Sequence, residues 1–177
     1  IIPEHVISAP DVETIYDVPR LLEKEGMGGK ILKKLGLEPK KNDILLWEKR
    51  VAAIKKCSDE VKIGIVGKYF DVGDYTLSDS YLSVIEAVKH ASWALGVRPV
   101  IDWIDALHME KDTFSLAQYH GIIVPGGFGA RGVEGKIKAI QFCREHDVPY
   151  LGLCYGMQLA VVEFARNVCG LHGAHTT

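Results

Sequence analysis

Between Val61 and Leu153 short β-forming runs alternate with helical ones, and that alternation constrains the fold more than any other feature of the chain. The run V-K-I-G-I-V-G, Val61 to Gly67, has the continuous apolar character of a buried strand. A loop over Asp71 to Ser78 leads to a helix with Tyr81, Ile85, Val88, Ser92 and Leu95 on one face. Ser78 or Asp79 suits its start and Gly96 its end. Val97 to Ile104 reads as a second strand, Phe114 to Gln118 as a short helix and Gly121 to Val124 as a third strand. A glycine-dense loop (Pro125 to Gly135), a helix (Lys136 to Glu145) and a fourth strand (Val148 to Leu153) follow. Strands separated by helices pair side by side in one direction. The expected fold class is therefore α/β, an open, mostly parallel sheet with helices on both faces. Such sheets bind ligands beyond the carboxyl ends of their strands.

Two features lie at that edge. The fourth strand stops at Cys154, and an apolar-faced helix follows to about Val168. Gly152 and Gly156 stand two residues either side of the cysteine, the G-x-nucleophile-x-G elbow, in which small neighbours permit a tight strand-to-helix turn. The helix start also directs free N–H groups and a partial positive charge towards the sulfur, a setting that suits a nucleophile. The competing reading is a buried structural cysteine.

The second feature is P-G-G-F-G, Pro125 to Gly129, which leaves the third strand. The N–H groups of Gly127 and Tyr155 together would make an oxyanion hole for a carbonyl attacked by Cys154, the requirement of acyl transfer through a thioester. Taken alone, the glycines read better as a flexible turn, and their position in register with the elbow favours function. No base for the thiol stands out. His120 and His146 precede strands and so lie at the opposite sheet edge. His90 falls in a surface helix, and nothing around His108 orients it as a base. His172 and His175 follow the elbow helix, whose far end is ~20 Å from the sulfur at ~1.5 Å rise per residue. A lone G-K at Gly67 and Lys68 lacks the rest of a phosphate-binding P-loop.

Residues 1–57 look different. Ile1 to Ser8 reads as a strand, and Val12 to Glu25 and Lys30 to Leu35 as short helices interrupted by Gly26, Gly28 and Gly29. Ile44 to Lys56 reads as an amphipathic linker helix with Leu45, Trp47, Val51 and Ile54 available to cover a neighbour. That is too little apolar surface for a separate core, so the boundary falls between a short piece, 1–57, and a larger unit, 58–177. The chain has 177 residues, 47% hydrophobic and 25% charged, with net charge −2. With no basic stripe, nucleic acid is not an expected partner. No apolar run is long enough to span a bilayer, and a cytoplasmic location is expected. Cys57, Cys143, Cys154 and Cys169 show no C-x-x-C spacing, which argues against a zinc site and a disulfide framework.

These residues resemble the class I glutamine amidotransferases and, within them, the CTP synthase family. The resemblance is carried by V-G-K-Y (Val66 to Tyr69), D-S-Y-L-S-V-I-E-A-V-K-H (Asp79 to His90), V-P-G-G-F-G-A-R-G-V-E-G-K (Val124 to Lys136) and the elbow with G-M-Q (Gly156 to Gln158). E-F-A-R-N-V (Glu163 to Val168), P-D-V-E-T-I-Y-D-V-P (Pro10 to Pro19) and L-L-E-K-E-G (Leu21 to Gly26) extend it over the chain. It implies a flavodoxin-like glutaminase half-domain behind the end of a synthase domain. The implied enzyme makes CTP from UTP, ATP and glutamine, uses Mg2+, is activated by GTP and assembles as a homotetramer.

Carried over by motif, Cys154 is the nucleophile. Gly127 and Tyr155 supply the oxyanion hole, and Gly127, Phe128, Tyr155, Gly156, Met157 and Gln158 bind glutamine. Arg131, Gly132 and Glu134 match a GTP-linked lid, and Asp11 and Val12 an ATP-adenine contact. The magnesium and phosphate sites would precede Ile1, and the catalytic His and Glu would follow Thr177. Two other readings stay open: a non-catalytic regulatory or assembly module with this fold, and a cysteine-elbow hydrolase or chaperone of the related peptidase-like superfamily.

Overall fold

The computed structural model describes residues 2–40, 43–67, 81–127 and 129–176. It divides into two compact units, Ile1–Cys57 and Ser58–Thr177.

In the first unit, the expected strand over Ile1 to Ser8 is absent among the described residues. Pro3 instead opens a single 3-10 turn, Pro3–His5, because its fixed φ favours a turn start. A second 3-10 turn, Ile15–Asp17, runs into α1 (Val18–Lys24). Gly26, at φ 70°, separates α1 from α2 (Met27–Leu35). Gly28 and Gly29 lie inside α2 and break nothing. The linker-helix pattern forms α3 (Ile44–Lys56), although Leu45 is exposed rather than covering a neighbour. Among the described residues of this unit, only Val51 and Asp17 are buried. Polar ties therefore hold it together. Asp17 accepts hydrogen bonds from Arg20 Nε at 2.7 Å and Lys55 Nζ at 2.6 Å, and Trp47 Nε1 donates to the Tyr16 carbonyl at 2.7 Å.

The second unit contains β1 (Glu60–Gly67), α4 (Leu82–Ala94), β2 (Arg98–Asp105), β3 (Gly121–Val124), α5 (Val133–Glu145), β4 (Tyr150–Gly152) and α6 (Tyr155–Asn167). The expected short helix after β2 is a 3-10 turn, Phe114–Gln118. All pairings are parallel, in the order β2-β1-β3-β4. Ile63 pairs with Gly121 and Val124 with Gly152. The chain thus steps outward from β1 to β2 and then returns to the other side of β1 to lay down β3 and β4. The strand order reverses between β1 and β3, the place at the carboxyl edge where sheets of this kind bind ligands.

Successive strand side chains point to opposite faces. Ile65 and Ile123 pack with Val84 and Val88 of α4, whereas Val66, Ile122 and Val124 pack with Ile137 and Ile140 of α5 and Leu159 and Val162 of α6. The α4 face is the less covered. An apolar groove of about 650 Å³ runs along it beside Ile63, Ala87, Leu95 and Leu151.

Helix α5 starts at Val133, three residues earlier than the sequence pattern suggested, because Gly132 takes a left-handed φ of 71° at its N-cap. A Cβ on Gly135 would meet the Ala106 carbonyl oxygen at 1.6 Å, so α5 lies against the segment after β2 closer than any side chain permits. Glu163 of α6, 1% exposed, is held by Arg144 Nη2 at 2.8 Å and Asn167 Nδ2 at 3.1 Å, which satisfies a buried carboxylate and ties α5 to α6. The expected caps at Ser78 and Asp79, the loop from Asp71 and the Lys68 position lie outside the described residues.

Candidate active site

Cys154 links β4 to α6 with φ 52° and ψ −107°, a conformation that side chains rarely adopt, and it is exposed. The surrounding contacts account for that strain. A Cβ on Gly156 would stand 1.9 Å from the Val124 carbonyl oxygen, and one on Gly152 would stand 2.7 Å from the backbone of Gly156 and Met157. Both flanking positions therefore require glycine. Leu153 N–H donates to the Val124 carbonyl at 2.9 Å, and the Tyr150 hydroxyl donates to the Gly156 carbonyl at 2.7 Å. The turn is pinned to β3 before it and to the first turn of α6 behind it.

The loop after β3 lies against this turn. A Cβ on Gly126 would be 3.5 Å from Cys154 Cβ and 3.9 Å from its Sγ, so the loop backbone passes directly beside the sulfur. The next residue, Gly127, faces Lys136, whose Nζ would be 3.6 Å from a Cβ built there. Lys136 is wholly buried in the first turn of α5, and its Nζ lies 5.9 Å from the centroid of the Tyr155 ring. The Tyr81 hydroxyl donates to the Gly126 carbonyl at 3.5 Å. At the N-terminus of α6 the Tyr155 N–H has no acceptor within its own helix. The geometry thus collects an exposed thiol, a glycine loop, an early-helix N–H and a buried lysine within one small region.

The remaining sequence candidates separate. Met157 and Gln158 are exposed one turn into α6, whereas Gly156 is buried against β3. Phe128 lies outside the described residues. Arg131 is exposed. Gly132 caps α5, and Glu134 pairs with Arg166 Nη1 of α6 at 3.1 Å. Arg166 also donates to the Ala174 carbonyl at 2.6 Å. Asp11 is exposed and Val12 half-buried, in a stretch without regular structure.

The chain after α6 corrects one argument from the sequence. Leu171 N–H donates to the Ala165 carbonyl, and Thr176 Oγ1 meets the Tyr155 hydroxyl at 3.1 Å, so the segment doubles back along α6 to its start. Helix length therefore says nothing about how far His172 and His175 lie from the sulfur. Even so, no hydrogen bond among the described residues joins a histidine to Cys154. His120 Nδ1 accepts from the Lys62 N–H at 3.0 Å, and the His146 ring stacks on Phe142. No cluster of three or more His, Cys, Asp or Glu among the described residues would hold a metal, and no helix among them is long and apolar enough to cross a membrane.

Gly126, Tyr81, Tyr150 and Lys136 were not singled out from the sequence as individual site residues. Lys136 in particular follows V-E-G in a stretch that reads as polar, and only the burial of α5 on most of its sides reveals it.

The model of the family described as glutamine amidotransferase class-I matches residues 76–176. The chain belongs to that family. Among relatives of this class-I amidotransferase, a CTP synthase of Pyrococcus abyssi is 55% identical over 98% of this chain and 32% of its own length. One from Methanocaldococcus jannaschii is 50% identical over 98% and 33%, and one from Thermus thermophilus 45% over 99% and 31%. The chain spans about a third of the length of these curated relatives. The solved glutaminase domain of Trypanosoma brucei CTPS with bound acivicin is 40% identical, with a TM-score of 0.59, over 66% of this chain and 44% of that one. The expected parallel α/β architecture of class-I amidotransferases is thus the one observed.

Proposed function

We propose that this chain is the part of a CTP synthase that carries the glutaminase nucleophile. The single observation that carries this reading is the strained, exposed Cys154 with the Gly126–Gly127 backbone beside its sulfur. Identity of 45% or more with CTP synthases along the whole chain supports the narrower reading.

In the proposed reaction the Cys154 thiolate attacks the carboxamide carbon of glutamine. A C–S bond forms, and the carbonyl π pair moves to oxygen, where the N–H groups of Gly127 and Tyr155 receive it. Collapse re-forms the carbonyl and breaks the C–N bond, and the nitrogen leaves as ammonia after taking a proton. Water then cleaves the thioester to glutamate and restores the thiol. The proton carrier is assigned to the family's His and Glu, outside these residues. Phe128, Gly156, Met157 and Gln158 would complete the glutamine pocket.

The ammonia would aminate UTP in a synthase site that binds ATP and Mg2+. That ATP would activate the uracil 4-oxygen by phosphorylation. No cluster of three or more His, Cys, Asp or Glu among the described residues would hold that metal, and Asp11 and Val12 are proposed as a contact to the ATP adenine. Arg131, Gly132 and Glu134 are proposed as the lid that responds to GTP, with CTP as product, in a cytoplasmic homotetramer.

The test is labelling of the full-length protein with a glutamine-analogue diazo-ketone, followed by peptide mass spectrometry. An adduct on Cys154 that glutamine suppresses and Cys154→Ala abolishes is the expected result. A folded protein with no adduct, but with Cys154 open to a small thiol reagent, would overturn the glutaminase reading in favour of a binding module.

A further inference from the structure

We propose that Tyr81 is a positioning residue of the thioester site, its hydroxyl fixing the peptide whose N–H is assigned to the oxyanion; this rests on the glutaminase reading above. The Tyr81 hydroxyl donates to the Gly126 carbonyl at 3.5 Å. That carbonyl and the Gly127 N–H belong to one peptide unit, and in a trans peptide the two bonds point in opposite directions. Whatever holds the Gly126 carbonyl therefore also sets the direction of the Gly127 N–H. The residue so held is the one beside the nucleophile, since a Cβ on Gly126 would stand 3.5 Å from Cys154 Cβ and 3.9 Å from its Sγ.

A peptide between two glycines needs such a hold. With no Cβ on either side, Gly126 and Gly127 offer little steric resistance to rotation of the plane they share, and a rotated plane would aim its N–H elsewhere. An oxyanion donor is effective only when its direction is set before charge develops on the substrate oxygen. The tyrosine is itself anchored. Its ring packs with the buried Ile65 and Ile123 and lies 6.1 Å from the Trp103 ring at 36°. Phenylalanine would supply that packing equally well, so the hydroxyl is the part that packing does not explain. At 3.5 Å its bond is long for a hydroxyl, and glutamine binding is expected to shorten it, as substrates do for many catalytic hydrogen bonds. Tyr81 acts through the Gly126–Gly127 peptide rather than on the substrate itself.

The experiment uses the full-length protein with Tyr81→Phe, which keeps the ring and removes the hydroxyl. Val88→Ala, which loosens the same apolar cluster without touching the hydroxyl, is the control. Two quantities are compared: steady-state glutamine hydrolysis, and inhibition by glutamate γ-semialdehyde. The Cys154 thiolate adds to the aldehyde carbon, a C–S bond forms and the carbonyl π pair moves to oxygen, so the adduct mimics the tetrahedral intermediate without a leaving group. Urea midpoints report the stability of each variant.

Tyr81→Phe is expected to lower kcat about 10-fold, less than loss of a direct oxyanion donor. KM for glutamine stays within about two-fold, and aldehyde affinity weakens by the same factor as kcat. Val88→Ala is expected to lower the urea midpoint while kcat and aldehyde affinity stay within about two-fold of wild type. A Tyr81→Phe variant with kcat near wild type overturns the proposal. So does a fall in kcat with aldehyde affinity unchanged, or a Val88→Ala variant that loses as much of both as Tyr81→Phe, either of which would mark Tyr81 as packing alone. A Tyr81→Phe variant that does not fold would assign the hydroxyl to folding and overturn it as well. A wild-type protein that neither hydrolyses glutamine nor forms a glutamine-protected adduct on Cys154 removes the glutaminase reading itself. A wild type that does both, beside an unaffected Tyr81→Phe, removes only this inference.

Discussion

Gly156 lies so close to Val124 that a single added methyl group would stand 1.9 Å from the Val124 carbonyl oxygen. That contact sets the start of α6 against β3 and forces the chain through the left-handed φ at Cys154. Gly156→Ala should therefore destabilise the second unit by about 3 kcal/mol or more, the range of a backbone-displacing overpacking change. Gly173→Ala, where nothing lies within 4 Å, should be near neutral and serves as the control. Urea denaturation of both variants checks the difference.

The cysteines should separate by accessibility. Burial pushes the Cys143 thiol up to about 12, so at neutral pH it carries almost no thiolate and is shielded as well. Cys154 and Cys169 are exposed. Timed alkylation of the native chain with iodoacetamide, read by peptide mass spectrometry, should modify those two while Cys143 stays unmodified until denaturant is added. Early modification of Cys143 would contradict the packing of α5 described above.

Acid should loosen the first unit before it affects the sheet. Hydrogen bonds from Arg20 and then Lys55 hold the Asp17 carboxyl at about 2, down from 3.8. Because the folded value is the lower one, the stability this cluster supplies is fully present above about pH 4. It is lost as pH falls from 3.8 through about 2. Titration of the Asp17 carboxyl carbon by NMR should give a midpoint near 2, and Asp17→Asn should remove the acid sensitivity of the 1–57 unit in that window.

Alkali should act on the second unit. Desolvation, followed by the neighbouring Asp102, raises Tyr119 to about 12, and desolvation raises Tyr150 further. An unfolded tyrosine ionises near pH 10, so above that the unfolded chain holds fewer protons than the folded one and stability falls as pH rises. Tyr119→Phe should flatten the decline between pH 10 and 12, measured as the change in Tm with pH. Tyr150→Phe should flatten it too, but at a cost of about 1 kcal/mol at neutral pH, because its hydroxyl bonds the Gly156 carbonyl.

The sequence was most informative where a pattern is local. Alternating strand and helix runs specify a parallel sheet because hairpins are excluded, and two glycines around a cysteine specify an elbow because nothing larger fits between Gly152 and the start of α6 or between Gly156 and Val124. The strand order was not legible, since β2-β1-β3-β4 and its alternatives all satisfy the same periodicities. Nor was the return of 168–176 to Tyr155, which rests on single polar contacts from Arg166 and Thr176 rather than on an apolar repeat. At the amino end, Ile1 to Ser8 has strand composition but no neighbouring strand to pair with among the described residues of its own unit, so Pro3 decides the local conformation instead. Lys136 was misleading for the opposite reason. Lysine in a helix usually marks the solvent side, and here the helix is enclosed by Ala106, β3 and α6.

The return of the last residues to Tyr155 also orders events during synthesis. Val124, Tyr150 and Gly152, against which the chain bends at Cys154, leave the ribosome before the cysteine does, and Gly156, which closes the bend against Val124, follows two residues later. Thr176 arrives some twenty residues later to fasten the Tyr155 side chain. A nascent chain paused between those two points would present the bent thiol without its latch.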